Sequence, residues 1–367
     1  MTDLQLPPDG LWLGRVDVEG TGPCVVTRRD GEWVDITSVE APTVRDILER
    51  DDAADYVRTA PAKPLPRTYT WLAPCDFQAV KAAGVTFARS MVERVIEEQA
   101  GGDASKADAI RTRISERIGE SLSSIVPGSP EATAAKEALI AEGLWSQYLE
   151  VGIGPDAEVF SKAQVLSSIG TGAEIGLHPI SKWNNPEPEV VLAVNSRGEI
   201  LGATLGNDVN LRDVEGRSAL LLSKAKDNNG SCAIGPCIRL FDDTFDLDTV
   251  RGLELSLRVE GPDGFAMDGR SSMKEISRDP EDLVRQTVGR HHQYPDGLVL
   301  FLGTLFAPTQ DRGKPGAGFT HVLGDTVTIS CDQLGALTNT VRLSTECPPW
   351  TFGPTAMMRN LAARDLL

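Results

Sequence analysis

The chain has little of what usually announces a metal or redox centre. It holds four histidines in 367 residues, and its six cysteines, at 24, 75, 232, 237, 331 and 347, form no CxxC pair. Zinc-ribbon and thioredoxin-like sites are therefore without their ligands, and reduced thiols are expected in so large and acidic a chain. No apolar run approaches the ~20 residues that cross a bilayer. The opening MTDLQLPPDG has no basic segment followed by an apolar core, so no secretory signal is visible. A cytoplasmic protein without membrane contact is expected. Positive charge is scarce as well: 36 Lys and Arg stand against 53 Asp and Glu, a net charge of −17. Phosphate backbones need clustered Lys and Arg, so nucleic acid is excluded as a partner. There is no GxGxxG and no regular βαβ alternation, which removes a dinucleotide-binding domain. Internal repeats and low-complexity tracts are also missing.

What remains is a globular composition: 41% hydrophobic, 24% charged, 35 Gly and 23 Pro. It fits neither a disordered tail nor a fibre. The length suggests two domains, or one large domain with an appended piece. Residues 1–66 read as a small β-rich domain. Leu11-Trp12-Leu13, Cys24-Val25-Val26 and Trp33-Val34-Asp35-Ile36 are short apolar runs split by Gly and Asp turns. One helix is expected over Thr43–Ala53, then a Pro-rich linker over Ala60–Pro66. Residues 67–367 form the second unit. An insertion over about 92–147 reads as helical: Ile110, Ile114, Ile118, Leu122 and Ile125 recur at helical spacing. Pro127-Gly128 ends that helix, Ser129 and Pro130 start another, and Gly143 closes it. Such a pair is a cover over a site or an ordinary packed hairpin. From 150 onward the pattern is mostly strands and turns. Strands are expected at Val190–Val194 and Glu199–Leu205, joined by the turn Asn195–Gly198, and at Leu298–Leu302 and Thr326–Ser330.

The most informative stretch is Lys182-Trp183-Asn184-Asn185-Pro186-Glu187-Pro188-Glu189. In extended chain, Glu187 and Glu189 point to one face. Two adjacent carboxylates repel unless a cation lies between them, and a hard divalent ion suits oxygen ligands. Alone, the pattern is common and fits an exposed edge strand with two solvated glutamates better. Gly206-Asn207-Asp208-Val209-Asn210-Leu211-Arg212-Asp213 ends the next apolar run. A hairpin would return Asp208 to the side of Glu187 and Glu189, completing a three-carboxylate site. Lys224-Ala225-Lys226-Asp227 and Gly235-Pro236 follow, and a Lys or Arg nearby suits a substrate carboxylate.

In this order, ExE, NDxxxRD and a lysine-bearing segment ending in GP resemble the fumarylacetoacetate hydrolase superfamily. Phe160-Ser161-Lys162, Gly303-Thr304 and Gly324-Asp325 match further, and Gly84–Ser90 corresponds to a loop where many relatives carry G-x-N-Y-x-x-H. The resemblance covers roughly residues 70 to 345. It implies an α+β, β-rich fold: a mixed β-sandwich roll with a small N-terminal β domain and a helical lid insertion. It also implies Mg²⁺ (Mn²⁺ or Ca²⁺ as alternatives) held by Glu187, Glu189 and Asp208, and a 2-oxo acid chelated by that ion. Lys224 and Glu93 are carried over as candidate acid/base groups. Thr86, Arg89, Ser90, Lys162, Arg212 and Thr304 are carried over as substrate-site residues, with a structural role equally open for Arg212. One position departs: the loop histidine is Ser90, so the imidazole base of hydrolytic relatives is missing. His178, His291, His292 and His321 fall on no family motif and read as surface or packed residues.

Gly143–Gly152, the helical insertion and KWNNPEPEV resemble the sugar-acid branch of the superfamily. Its members dehydrate 2-keto-3-deoxy-pentonates, such as 2-keto-3-deoxy-D-xylonate or D-arabinonate, to 2-oxoglutarate semialdehyde in oxidative pentose breakdown. The resemblance thus implies a metal-dependent hydro-lyase. Two alternatives stand beside it: an acylpyruvate hydrolase or oxaloacetate decarboxylase on the same fold, and a non-catalytic, metal-stabilised binder of 2-oxo acids. Relatives assemble as dimers or tetramers, so a homo-oligomer is expected, with a small 2-oxo sugar acid as partner.

Overall fold

A computed structural model describes residues 4–107, 110, 125–141, 143, 145–306, 308–313 and 318–367, with the backbone alone at 88–90. In chain order the strands are β1 (Trp12–Val18), β2 (Gly22–Arg29), β3 (Glu32–Asp35), β4 (Lys63–Pro64), β5 (Thr70–Leu72), β6 (Ala79–Gly84), β7 (Glu158–Ala163) and β8 (Glu174–Leu177). They continue with β9 (Pro188–Val194), β10 (Ile200–Asp208), β11 (Cys232–Leu240), β12 (Glu254–Glu260), β13 (Ala266–Ser272), β14 (Leu298–Phe301), β15 (Thr326–Cys331) and β16 (Gly335–Leu343). Eleven strands form one sheet, in the order β4-β3-β2-β1-β11-β10-β9-β14-β6-β7 with β5 beside β1; five form a second, β13-β12-β15-β16-β8. Most neighbours are antiparallel, but β14 runs parallel to β6 and β16 parallel to β8. The architecture is the mixed, strand-rich α+β fold expected.

The two sheets face each other across one core. Val190, Leu192 and Val194 of β9 belong to the same buried cluster as Leu255, Leu257, Val327 and Ile329 of the smaller sheet. This is the packing of a sandwich, with both inner faces apolar. β9 and β11 are buried at every residue. Their outward side chains are covered too: Ala193, Ile238 and Leu240 pack with Ile47, Leu48 and Val57 from two short helices. That double cover explains why β9 reads as a continuous apolar run instead of an alternating one.

The strands between Trp12 and Pro64 extend the larger sheet. β1 pairs with β11, and β5 with β1, so the boundary placed at 66/67 falls within one sheet. The segment read as a linker supplies Lys63 and Pro64 to an edge strand against β3. The single helix expected over Thr43–Ala53 is two helices, Val44–Leu48 and Ala53–Thr59. Thr43 caps the first, accepting the Asp46 N–H. Arg50-Asp51-Asp52 breaks the run, as adjacent aspartates favour turns and N-caps over helix interiors.

Two helices of the insertion are described, Ala88–Ala100 and Pro130–Ala141. Ser129 caps the second through its hydroxyl to the Ala132 N–H, and Gly143 follows its end at φ +67°. Of the isoleucine and leucine run at helical spacing, residues 114, 118 and 122 lie outside the described residues. Met91, Val95 and Ile96 pack with Leu149, Ile153 and Trp183 into a separate apolar cluster beside the sandwich. Among the described residues no helix is long and apolar enough to cross a membrane.

Candidate functional site

The β9–β10 hairpin builds the centre. Gly206 sits opposite Glu189, and Asn207 opposite Pro188. The ladder continues one step further, with the Asp208 N–H donating to the Glu187 carbonyl at 3.0 Å. Glu187, Glu189 and Asp208 therefore converge: each places a carboxylate oxygen within 4.8 Å of the other two. All three are buried, at 1–2% exposure. At that spacing, charged carboxylates repel by about 3 kcal/mol per pair at an effective dielectric near 20.

The protein offsets this repulsion with cations. Lys226 Nζ donates to Glu187 and, at 2.9 Å, to Asp208 Oδ2. Arg94 donates to Glu187 from the Ala88–Ala100 helix, and its other nitrogen lies 3.0 Å from Glu215. Burial raises the Glu187 carboxyl, but Arg94 and Lys226 outweigh it and hold the group at about 2. Among the described residues, Glu189 has no ion-pair partner. It accepts the Gly303 N–H at 2.7 Å and the Thr304 hydroxyl at 3.2 Å. Burial, then Asp208 and Glu187, push it well above the usual carboxylate range. Lys226 opposes this shift without cancelling it, so the cluster is short of positive charge at Glu189. Three buried carboxylates with oxygen-only donors fit a hard divalent cation.

Further groups line the same pocket. Glu158 and Glu215 add two carboxylates, and Ala83, Val85 and Phe160 form an apolar wall. Burial pushes Glu158 up, with Arg94 and Lys226 opposing. Glu215 rises to about 7 for the same leading reason. Lys226 goes the other way: burial would discharge it, but Asp208, Glu187 and Glu215 hold it firmly as an ammonium. Two glycines make room. A Cβ on Gly84 would lie 2.0 Å from Glu158 Oε2, and one on Gly303, at φ +102°, 1.9 Å from Thr86 Oγ1.

Several sequence expectations are corrected here. Lys224 is exposed, and its carbonyl accepts from the Asn228 side chain; the lysine in the site is Lys226. On a short helix, two residues apart means nearly opposite faces, and Lys226 shares its face with partly buried Leu222, four residues before it. Glu93 does not line the pocket; its carboxylate accepts from Arg212 at 3.1 Å. Arg212 is itself buried behind the pocket, bonded to Glu97 at 2.6 Å and stacked 4.4 Å from the Trp183 ring centre. Thr86 is pinned to the Leu302 carbonyl at 2.6 Å. Lys162 lies behind the cluster, not in the pocket wall: its Nζ is 2.9 Å from Asp208 Oδ1. Thr304 lines the pocket. Arg89 and Ser90 occupy the first turn of the Ala88–Ala100 helix, and their side chains lie outside the described residues.

Arg94, Glu158, Glu215 and Lys226 were not anticipated. Glu158 had a readable signal: it alternates with Phe160 along β7, placing both on one face. Arg94 sits three residues after buried Met91 and three before buried Glu97, the spacing of one helix face.

The chain belongs to the fumarylacetoacetate (FAA) hydrolase C-terminal family, which matches residues 152–342, slightly more than half of its length. Among curated proteins it is 34% identical over 194 residues to a probable 2-keto-3-deoxyxylonate dehydratase of Haloferax volcanii. It is 30% identical over 185 residues to a 2-dehydro-3-deoxy-D-arabinonate dehydratase of Saccharolobus solfataricus. These matches span 53% and 50% of this chain, and 63% and 58% of those relatives' own lengths. A solved 2-keto-3-deoxy-D-arabinonate dehydratase in its apo form superposes with a TM-score of 0.63 at 20% identity, covering 90% of this chain and 99% of that one. The same is true, at 0.62 and 19%, of that dehydratase complexed with magnesium and 2,5-dioxopentanoate, again over 90% and 99%.

Proposed function

We propose that this protein is a metal-dependent hydro-lyase that removes water from a 2-keto-3-deoxy-pentonate and yields 2-oxoglutarate semialdehyde. The observation that carries the reading is the buried cluster of Glu187, Glu189 and Asp208. The names of the curated relatives support the reaction class, and the magnesium and dioxopentanoate held by the solved dehydratase support the cofactor and product.

Glu187, Glu189 and Asp208 would hold the ion, with Mg²⁺ first and Mn²⁺ next. Bound there, a divalent cation supplies Lewis acidity to the carboxylate and keto oxygens of the substrate, which makes its C3 protons acidic. Glu158 is the acid/base group. It lines the pocket, and burial raises its carboxyl above the ordinary carboxylate range, with Arg94 and Lys226 opposing, as suits a group that takes and returns a proton. It removes a C3 proton and returns it to the departing C4 hydroxyl as water. Lys226 is a fixed ammonium rather than a base, and it stabilises negative charge on the substrate oxygens. A C5 proton then moves to C3, leaving a C4=C5 enol, and the enol hydroxyl proton passes to C4, which leaves the aldehyde at C5. The Ala88–Ala100 helix closes one side of the pocket through Arg94 and limits bulk water.

Hydrolysis of acylpyruvates fits less well. No histidine lines the pocket among the described residues. His321 is buried against Asp325 at 3.0 Å. The test is incubation with a panel of 2-keto-3-deoxy-pentonates and Mg²⁺, reading products by mass. Loss of one water is expected; release of pyruvate, or no reaction with any member, overturns the assignment.

A further inference from the structure

Lys162 is fully buried, yet it lies outside the pocket wall. Its ammonium has three hydrogens to place. It lies 2.9 Å from Asp208 Oδ1, donates to the Val209 carbonyl at 3.3 Å, and donates to the main-chain carbonyl of Lys226. That carbonyl ends the Leu222–Lys226 helix, where the last carbonyls have no partner within the helix and a cation is favoured. Ser231 meets the same atom: its hydroxyl lies 2.7 Å from the Lys226 carbonyl and 2.8 Å from the Asn228 carbonyl, and it accepts the Asn228 N–H at 2.9 Å.

We propose that Lys162 and Ser231 are positioning residues that clamp the main-chain carbonyl of Lys226 and so set the reach of its ammonium into the carboxylate cluster. A capped helix end alone would need only a hydroxyl or a water. A buried lysine is costly unless paired, and this one spans two members of the site, Asp208 by charge and Lys226 by its backbone. Lys226 Nζ makes a 2.9 Å bond to Asp208, so a shift of its backbone by about 1 Å, enough to cost up to 10²-fold in rate, would break it. The inference rests on the proposed function only for its effect on turnover. Lys226 and a divalent ion compete for Glu187 and Asp208, so loosening Lys226 changes metal affinity whether or not the protein is a dehydratase.

The experiment is a double-mutant cycle on Mg²⁺ binding to the full-length protein, measured by calorimetry for wild type, Ser231→Ala, Lys226→Met and the double variant. Ser231→Ala alone is expected to tighten Mg²⁺ binding by about three- to tenfold, and to have no effect once Lys226 is Met; such non-additivity marks a shared interaction. Lys162→Met is expected to couple to Lys226 in the same way, and if that variant fails to fold, the Ser231 arm decides alone. In turnover, Ser231→Ala should lower kcat about 10-fold or more with KM near wild type. Equal effects of Ser231→Ala with and without Lys226, or none in either, overturn the clamp. Coupling in the cycle with no turnover by wild type keeps the clamp and refutes the dehydratase reading.

Discussion

Two lysines two positions apart have opposite fates, and the site depends on which one is inside. Lys226 is held charged between Glu187 and Asp208, while Lys224 faces solvent. Lys226→Met should therefore cut kcat by about 10²–10³-fold, the range for removing a fixed donor from developing charge. Lys224→Met should stay within about twofold, and steady-state kinetics on the two variants checks both. Glu158→Gln should lower kcat by about 10²–10⁴-fold, the contribution of a positioned acid/base group. It should also remove one limb of the pH–rate profile, whereas a purely structural role would lower activity evenly across pH. The sequence made the three carboxylates legible because a hairpin of known length fixes register: a β9 that starts at ExE and a β10 that ends at Asp208 must bring them together. It could not rank Lys224 against Lys226, because a five-residue helix is too short for its apolar face to be read.

At the level of elements, one connection supports the site and another holds a buried charge cluster apart from it. Gly303, just after β14, directs its N–H at Glu189 from φ +102° and has Thr86 against it. Gly303→Ala should destabilise the fold by about 1–3 kcal/mol through strain at positive φ and weaken Mg²⁺ binding, both read from melting curves with and without metal. The second connection precedes β15, where His321 accepts or donates against Asp325, and Arg312 bonds Asp325 at 2.7 Å. Burial holds His321 below 6.5, with Arg312 adding to the shift and Asp325 opposing it. The folded protein thus keeps a neutral ring where the unfolded chain takes up a proton. Its stability contribution is complete above pH 6.5 and declines as the pH falls below it, by at most about 1.4 kcal/mol per unit. His321→Gln should flatten stability against pH between 6.5 and 5 in denaturant titrations; an unchanged slope would mean the ring is not held neutral. Elements with strong local signals, such as the β9 apolar run and the Ser129-Pro130 helix start, were readable in advance. The helices at 44–59 were not, since an Arg-Asp-Asp break is weak punctuation within one apolar pattern.

Across the whole molecule, the site is a point where separate parts meet. The sandwich supplies Glu187, Glu189 and Asp208, the edge strand β7 supplies Glu158, and the insertion supplies Arg94. A ligand that binds only the folded state stabilises it by mass action, about 2.7 kcal/mol at a hundredfold excess over Kd. Mg²⁺ should accordingly raise the melting temperature of the wild type, and the rise should vanish in Asp208→Ala. The most direct test of the account is turnover of metal-stripped protein while Mg²⁺ is titrated back. Activity should be lost on stripping and return in proportion to bound metal, saturating at one ion per chain, with Asp208→Ala neither binding nor turning over. Full activity without metal, or saturation of Asp208→Ala at one ion per chain, would contradict it.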